Sequence, residues 1–97
     1  MPTYIVLGSY TQQGIENIKD SSKRLDAARE LNKSLGSEIK SFFYTLGQYD
    51  WVAIVEAPSN EVIMQSAFAI GSGGAVRTET LVAVPAEQGG EIIKKLS

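Results

Sequence analysis

One segment constrains the fold more than any other part of this chain. It opens with Gly47–Asp50, read Gly-Gln-Tyr-Asp, continues into the almost wholly apolar run Trp51–Ala57 and stops at Pro58. Glycine favours a turn, and a short apolar run bounded by turn residues is typical of a strand covered on both faces. Proline cannot continue such a strand in the middle of a sheet. The segment therefore predicts a hairpin, a buried central strand and the start of a helix.

Hydrophobic periodicity and turn residues predict the other elements. We expect strands over residues 3–10, 38–46, 49–57 and 75–85, and a short C-terminal helix over 86–97. Two longer helices are expected, the first after the N-cap candidates at 20–22 and the second opening at 58–61 with Ser59 as its cap. They are expected to end at Gly36 and at the glycine-rich segment 71–74. Residues 11–20 are expected to form a short connecting segment with a single helical turn.

The first long helix has a clear apolar stripe. Its members recur at helical spacing: Leu25, Ala28, Leu31 and Leu35. We assign the opposite, solvent-facing side to Arg29, Asn32 and Lys33.

The element order is β-α-β-β-α-β plus a terminal helix, which is the split βαβ, ferredoxin-like pattern of the α+β class. Right-handed crossovers then predict one domain over residues 1–97, with a four-stranded antiparallel sheet of order 4-1-3-2 and helices on one face. We further expect strand three to run parallel to strand one, and strand four to run antiparallel to it.

Composition excludes several kinds of chemistry. The 97 residues include no cysteine and no histidine, which removes thiolate nucleophiles and the commonest general base and metal ligand. We expect no metal and no cofactor. The net charge of −2 and the scattered basic residues argue against a nucleic-acid or membrane-surface partner. The N-terminus lacks the pattern of a signal peptide and no apolar run is long enough for a membrane span, so a cytoplasmic location is expected.

Residue alternation predicts a second apolar face on the sheet. We assign Ile5 and Leu7 to the helix-covered face. The open face is expected to collect Tyr4, Val6, Phe42, Tyr44, Val52, Ile54 and Leu81. Exposed apolar patches of this kind mark interfaces, so we predict a homodimer that packs sheet against sheet. The hairpin leaves two registers open: a two-residue turn pairs Leu46 with Tyr49, and a three-residue loop pairs Leu46 with Asp50.

Several sequence blocks match one known family. They are Pro2–Ile5, Thr11–Ser21 (Thr-x-x-Gly-Ile-x-x-Ile-Lys-Asp-Ser), Thr45–Asp50, Glu56–Pro58 and Val76–Leu81. In these blocks, and over nearly its whole length, the chain resembles the GYD family, small proteins with a Gly-x-Tyr-Asp signature. The resemblance implies a dimeric α/β barrel of the ferredoxin-like class. That broad class includes cofactor-free monooxygenases, haem enzymes, lactone isomerases and ligand-sensing domains, and so the resemblance itself assigns no activity.

Six residues are candidates for binding a ligand. Tyr49 and Asp50 could orient a ligand at the mouth of the barrel, or Asp50 could cap the turn with Tyr49 packed beside it. Glu56 and Arg77 are expected at one edge of the sheet, about 10 Å apart with Tyr10 between them, near Glu79. This group could form a pocket for a small polar or anionic ligand. The alternative is a salt-bridged rim in which Arg77 pairs with Glu79, and Glu56 pairs with Lys40.

Two functions remain open. The first is a small homo-oligomeric module that binds a small molecule or another protein. The second is a cofactor-free enzyme, monooxygenase- or isomerase-like, acting on a small apolar acidic compound held between sheet and helices. In the enzyme, Tyr and Arg side chains would stabilise an enolate-like anion, and Asp50 or Glu56 would act as the base.

Overall fold

The computed structural model describes residues 1–96. Four strands and four helices follow one another: β1 Thr3–Tyr10, α1 Gln12–Glu16, α2 Ser21–Ser34, β2 Glu38–Tyr44, β3 Trp51–Glu56, α3 Asn60–Ser72, β4 Val76–Ala83 and α4 Ala86–Lys94. A single 3-10 turn, Ile18–Asp20, lies between α1 and α2. The predicted elements are present, with strands β2, β3 and β4 shorter than expected. The predicted extension of α4 reaches Ser97, which lies outside the described residues.

Local polar groups set the ends of the helices. Ser59 precedes α3, and its hydroxyl accepts a hydrogen bond from the Val62 N–H at 3.3 Å, as predicted for an N-cap residue. The Thr11 hydroxyl begins α1 in the same way by accepting from the Gly14 N–H at 3.1 Å. Helix α2 is followed by Gly36 at φ 78°, a left-handed conformation that glycine adopts without a steric penalty.

The four strands form one antiparallel sheet of order β2-β3-β1-β4, which is the order 4-1-3-2 read from the other edge. One expectation about direction is wrong, because β3 runs antiparallel to β1. The helical crossover from β1 to β2 leaves those two strands parallel to each other. The hairpin then reverses β3 relative to both. The second crossover, through α3, leaves β4 parallel to β3, and so β3 and β4 both run antiparallel to β1.

The core lies between the sheet and helices α2 and α3. In the β1–β3 register Tyr4 faces Val55, and Val6 faces Ala53. The core cluster joins the sheet residues to the helices through Leu25, Ala28, Val62 and Ile63. Tyr4 is 1% exposed and its hydroxyl donates to Asn60 Oδ1 at 2.6 Å, which ties β1 to the start of α3.

The expected faces of β1 and β2 are reversed in the structure. Tyr4, Val6 and Phe42 pack against the core rather than lying on the open face. Tyr44 is paired with Trp51, and therefore shares the core side as well. The open face instead carries Ile5, Leu7, Phe43, Val52, Ile54 and Leu81. Both parities of β1 are apolar, so alternation alone could not decide which one faces the helices.

The β2–β3 hairpin has the register of the shorter turn. Tyr44 pairs with Trp51, which is the register that sets Leu46 opposite Tyr49. The Thr45 N–H donates to the Asp50 carbonyl at 2.9 Å, and Gly47 has φ 113° at the tip. Further from the turn the register shifts by one residue between Ile39 and Ser41, which is a β-bulge.

Trp51 packs directly against Gly8. These residues are partners in the β1–β3 ladder, and a Cβ atom added to Gly8 would lie 2.0 Å from the Trp51 indole. Trp51 is 7% exposed, and its ring centroid lies 5.1 Å from that of Phe42, which limits how far the indole can move away from position 8. Glycine is therefore required at position 8 by a close approach.

We expect Gly8→Ala to destabilise the fold by about 1–3 kcal/mol, the usual cost of overpacking a core. Urea unfolding followed by Trp51 fluorescence measures the change. Gly89→Ala is the matched control, because a Cβ atom at position 89 meets nothing within 4 Å and lies in a helix, where alanine is favoured. Equal stability of the two variants would contradict the packing argument.

Candidate functional site

The main cavity lies between the core face of the sheet and helices α2 and α3. Its volume is about 260 Å³, just below the usual range for small-molecule sites. Most of its wall is apolar and includes Leu25, Phe42, Trp51, Ile63 and Ile70. Small side chains on the helices, among them Ala28 and Ala67, leave the space between sheet and helices unfilled.

Several polar side chains lie together at the end of this cavity near the N-terminus of α2. The Tyr10 hydroxyl lies 2.9 Å from Ser21 Oγ, which in turn lies 3.1 Å from the Tyr44 hydroxyl. Arg24, one turn further along the helix, also lines the cavity. Its Nη1 donates to the Asn17 carbonyl at 3.1 Å, whereas its Nη2 is buried and has no hydrogen-bond partner within residues 1–96. A buried donor without a partner costs free energy, and a bound acceptor would remove that cost.

A second unpartnered polar atom lies further along α2. Asn32 is 2% exposed and lines the cavity, which corrects its expected place on the solvent side of the helix. Its Nδ2 donates to the Ala28 carbonyl at 2.8 Å, and its Oδ1 has no partner in the described chain. Asn32 follows Leu25 by seven residues and Ala28 by four, so helical spacing places it on the apolar stripe.

Three of the predicted site residues meet elsewhere, on the open face of the sheet. Tyr49, Arg77 and Glu79 line a shallow groove together with Leu7 and Ser9. The Tyr49 hydroxyl donates to Glu79 Oε2. This bond, then burial and then the charge of Glu79, raises the pKa of Tyr49. The expected Arg77–Glu79 ion pair is not among those found in residues 1–96.

Asp50 binds the backbone of β1. Its Oδ2 accepts from the Tyr10 N–H at 2.8 Å, and its own N–H donates to the Gly8 carbonyl at 2.8 Å. The carboxylate thus continues the β1–β3 ladder beyond the end of β3. This geometry favours a structural role for Asp50, although its partner is the neighbouring strand rather than the turn itself.

Glu56 lies at the opposite end of the sheet from Arg77. Glu56 pairs with Thr3, whereas Arg77 pairs with Ser9. Six residues of β1 therefore separate them, which is about 20 Å rather than the expected 10 Å. The error follows from the wrong direction assigned to β3.

The carboxylate of Glu56 has a cationic neighbour of its own. Glu38 is its direct partner across the hairpin. Lys40 makes an ion pair with Glu38 at 3.1 Å. The hydrogen bond to Glu38, then the charges of Glu38 and Glu56, raise the pKa of Lys40. The cation offsets the repulsion of two like charges on adjacent strands, and no direct Glu56–Lys40 ion pair is needed for that.

The structure therefore divides the six predicted residues. Tyr10 lines the main cavity; Tyr49, Arg77 and Glu79 share the groove; Asp50 holds the backbone; and Glu56 is remote from both. Sequence reasoning missed Arg24 and Asn32. Within residues 1–96 no group of three or more His, Cys, Asp or Glu side chains is placed to hold a metal ion. None of the helices in this part of the chain has the length and apolar character needed to cross a bilayer.

Comparison with known proteins identifies the family. The GYD domain model matches residues 4–93. The chain belongs to the GYD domain family. A Thermus thermophilus relative, described as a glutamine synthetase and cystathionine beta-lyase binding protein, is 34% identical over 86 residues, which cover 88% of this chain and 90% of the relative. The GYD signature is the hairpin segment that contains Tyr49 and Asp50.

Solved structures show the same fold. A crystal structure of a Thermus thermophilus protein superposes with a TM-score of 0.57 at 28% identity, over 89% of this chain and 96% of that one. The leucine response regulatory protein of Mycobacterium tuberculosis gives a TM-score of 0.66 at 16% identity, over 88% of this chain. This GYD chain covers 51% of that regulator, and at this identity the likeness shows the fold alone.

The Tyr49–Glu79 bond makes a testable prediction. We expect the Tyr49 phenol to titrate above its usual value near 10, and Glu79→Gln to bring the pKa back towards that value. Because the folded-state pKa is raised, its contribution to stability is present below pH about 10 and is lost as the pH rises through the folded pKa. Tyrosine ¹³Cζ shifts in NMR spectra follow each phenol separately.

Glu56→Gln is the control for this titration, since it removes a carboxylate from the opposite end of the sheet. It should leave Tyr49 unchanged. A Tyr49 titration curve that is identical in the wild type and in Glu79→Gln would contradict the proposed cause of the shift.

Proposed function

We propose that this GYD protein binds a small molecule in the cavity between its sheet and helices. The observation that carries the proposal is a largely apolar cavity whose wall includes Arg24 and Asn32, each of which has a buried polar atom without a partner within residues 1–96. An interior selected only for stability seldom leaves such atoms without partners. An apolar cavity with a few convergent polar groups is the usual form of a ligand site.

The enzyme alternative has less support. Its expected bases were Asp50 and Glu56, and neither lines the cavity. Asp50 is engaged with the β1 backbone, and Glu56 lies at the other end of the sheet. No Asp or Glu side chain of the described residues lines the cavity, so no carboxylate base would contact a molecule bound there.

The cavity proposal predicts that filling the space prevents binding. We expect the neutral probe octanamide to shift the amide NMR signals of cavity residues such as Ala28 and Ile70. Ala67→Phe places a ring in the cavity wall and should weaken this binding by about tenfold or more, a loss of at least about 1.4 kcal/mol.

Gln65→Phe is the matched control, because it adds the same ring at an exposed position of the same helix. Octanamide should bind this variant as it binds the wild type. Signals that do not change in the wild type, or that change equally in both variants, would contradict binding in the cavity.

We also propose that the open face of the sheet joins two copies of this chain into a homodimer. The face carries six apolar side chains, of which Phe43 is 58% and Leu81 43% exposed. Acidic Glu38 and Glu56 lie at one end of this face, and Arg77 lies at the other together with Glu79. A two-fold axis across the strands would pack the apolar centre of this face on the same apolar centre of a second copy, which favours a second copy as the occupant.

The Thermus relative is described as a protein that binds other proteins, which supports a role for this chain in protein–protein binding. A dimer of this form would leave the helices, and the cavity beneath them, free on the outer side. Ligand binding and protein binding are therefore compatible in one small module.

We expect Val52→Asp to convert the dimer to a monomer, because it places a charge in the middle of the apolar face. Sedimentation velocity over a range of concentrations measures the mass. Met64→Asp, at an exposed apolar position on α3, is the control and should remain dimeric. A wild-type protein that sediments as a monomer, or a Val52→Asp variant that remains dimeric, would refute the sheet-to-sheet interface.

A further inference from the structure

The charge of Arg24 specifies what the cavity can bind. Arginine carries a positive charge in proteins. Arg24 is half-buried, and Nη2 of its guanidinium is covered. The ion pairs found within residues 1–96 are Lys40–Glu38 and Lys94–Glu91, so no carboxylate of the described chain neutralises Arg24. Within residues 1–96 its hydrogen-bond partner is the neutral carbonyl of Asn17.

The groups around Arg24 also suit an anion. The Tyr10 and Ser21 hydroxyls line the same end of the cavity, and hydroxyl groups can donate to an oxyanion. Ser21 is the first residue of α2, where the helix dipole is positive. Arg24 is the charged side chain among the described residues that line the cavity, so residues 1–96 give its wall one positive charge and no negative charge.

The rest of the cavity is apolar. Beyond Arg24 the wall is formed by Leu25, Phe42, Ile63 and Ile70, which offer contact but few hydrogen bonds. A small inorganic anion would leave this wall without a partner, and a wholly apolar molecule would leave Arg24 without one. The complementary molecule has one anionic end and an apolar body.

We propose that the cavity binds a small amphipathic carboxylate, with the carboxylate beside the Arg24 guanidinium and the apolar body between α2, α3 and the sheet. The inference rests on the cavity being a ligand site, and it adds the class of ligand. Arg24 is the specificity-determining residue. Its charge-assisted hydrogen bond acts in surroundings of low dielectric, where it is stronger than in water.

The test compares octanoate with octanamide, which has nearly the same shape and no charge. We expect calorimetry on the full chain to show that octanoate binds about 10- to 100-fold more tightly than octanamide, the range for a hydrogen bond to a charged group. Arg24→Met should remove this preference by weakening octanoate and leaving octanamide nearly unchanged. Arg24→Lys keeps the charge and should retain a preference for octanoate.

Lys23→Met is the matched control, because it removes the same charge from the adjacent, exposed position of α2. It should keep the full preference for octanoate, and amide NMR spectra verify that each variant is folded. Equal affinity of the wild type for the two probes, or a preference that persists in Arg24→Met, would overturn the carboxylate assignment. If octanamide still binds in the cavity in that case, the site itself stands; if neither probe binds, both proposals fail.

Discussion

The contact between the Trp51 indole and the bare backbone of Gly8 sets the arrangement of the whole sheet. This contact favours one register between β1 and β3. In any other register, a residue with a Cβ atom would lie under the Trp51 indole in place of Gly8. Asp50, the residue before Trp51, then binds the Gly8 carbonyl and the Tyr10 N–H. The central pair of strands is thereby fixed by side chain and backbone together.

This register decides what each face of the sheet can do. With Gly8 under Trp51, the core face receives Tyr4, Val6 and Tyr10, and the open face receives Ile5 and Leu7. A shift by one residue would exchange the two sets. The Gly-x-Tyr-Asp signature is therefore explained largely by structure: Gly47 makes the turn, Asp50 binds the neighbouring strand, and Tyr49 reaches Glu79 across the open face.

Element types could be predicted from the sequence, whereas the direction of β3 and the faces of β1 and β2 could not. The Ser59 cap, the Gly36 stop and the apolar run after Asp50 depend on near neighbours, and the structure contains them as expected. Which side chains of β1 face the core depends on its pairing with β3, about 45 residues away. Alternation cannot decide this when both the odd and the even positions of β1 are apolar. The direction of β3 follows from the order of the elements. The wrong direction predicted for β3 placed Glu56 at the wrong end of the sheet.

The candidate site was missed for a different reason. Charged and amide side chains were treated as solvent-facing by type, although Asn32 lies four residues after Ala28 and seven after Leu25 on the buried stripe. A polar residue on an apolar stripe contradicts the simple pattern, and such contradictions are expected at functional positions. Arg24 and Asn32 weaken the core in which they lie, since each holds a buried atom without a partner. A molecule that supplies those partners would recover that free energy on binding, so the same two atoms that lower the stability of the empty protein would favour its ligand-bound form.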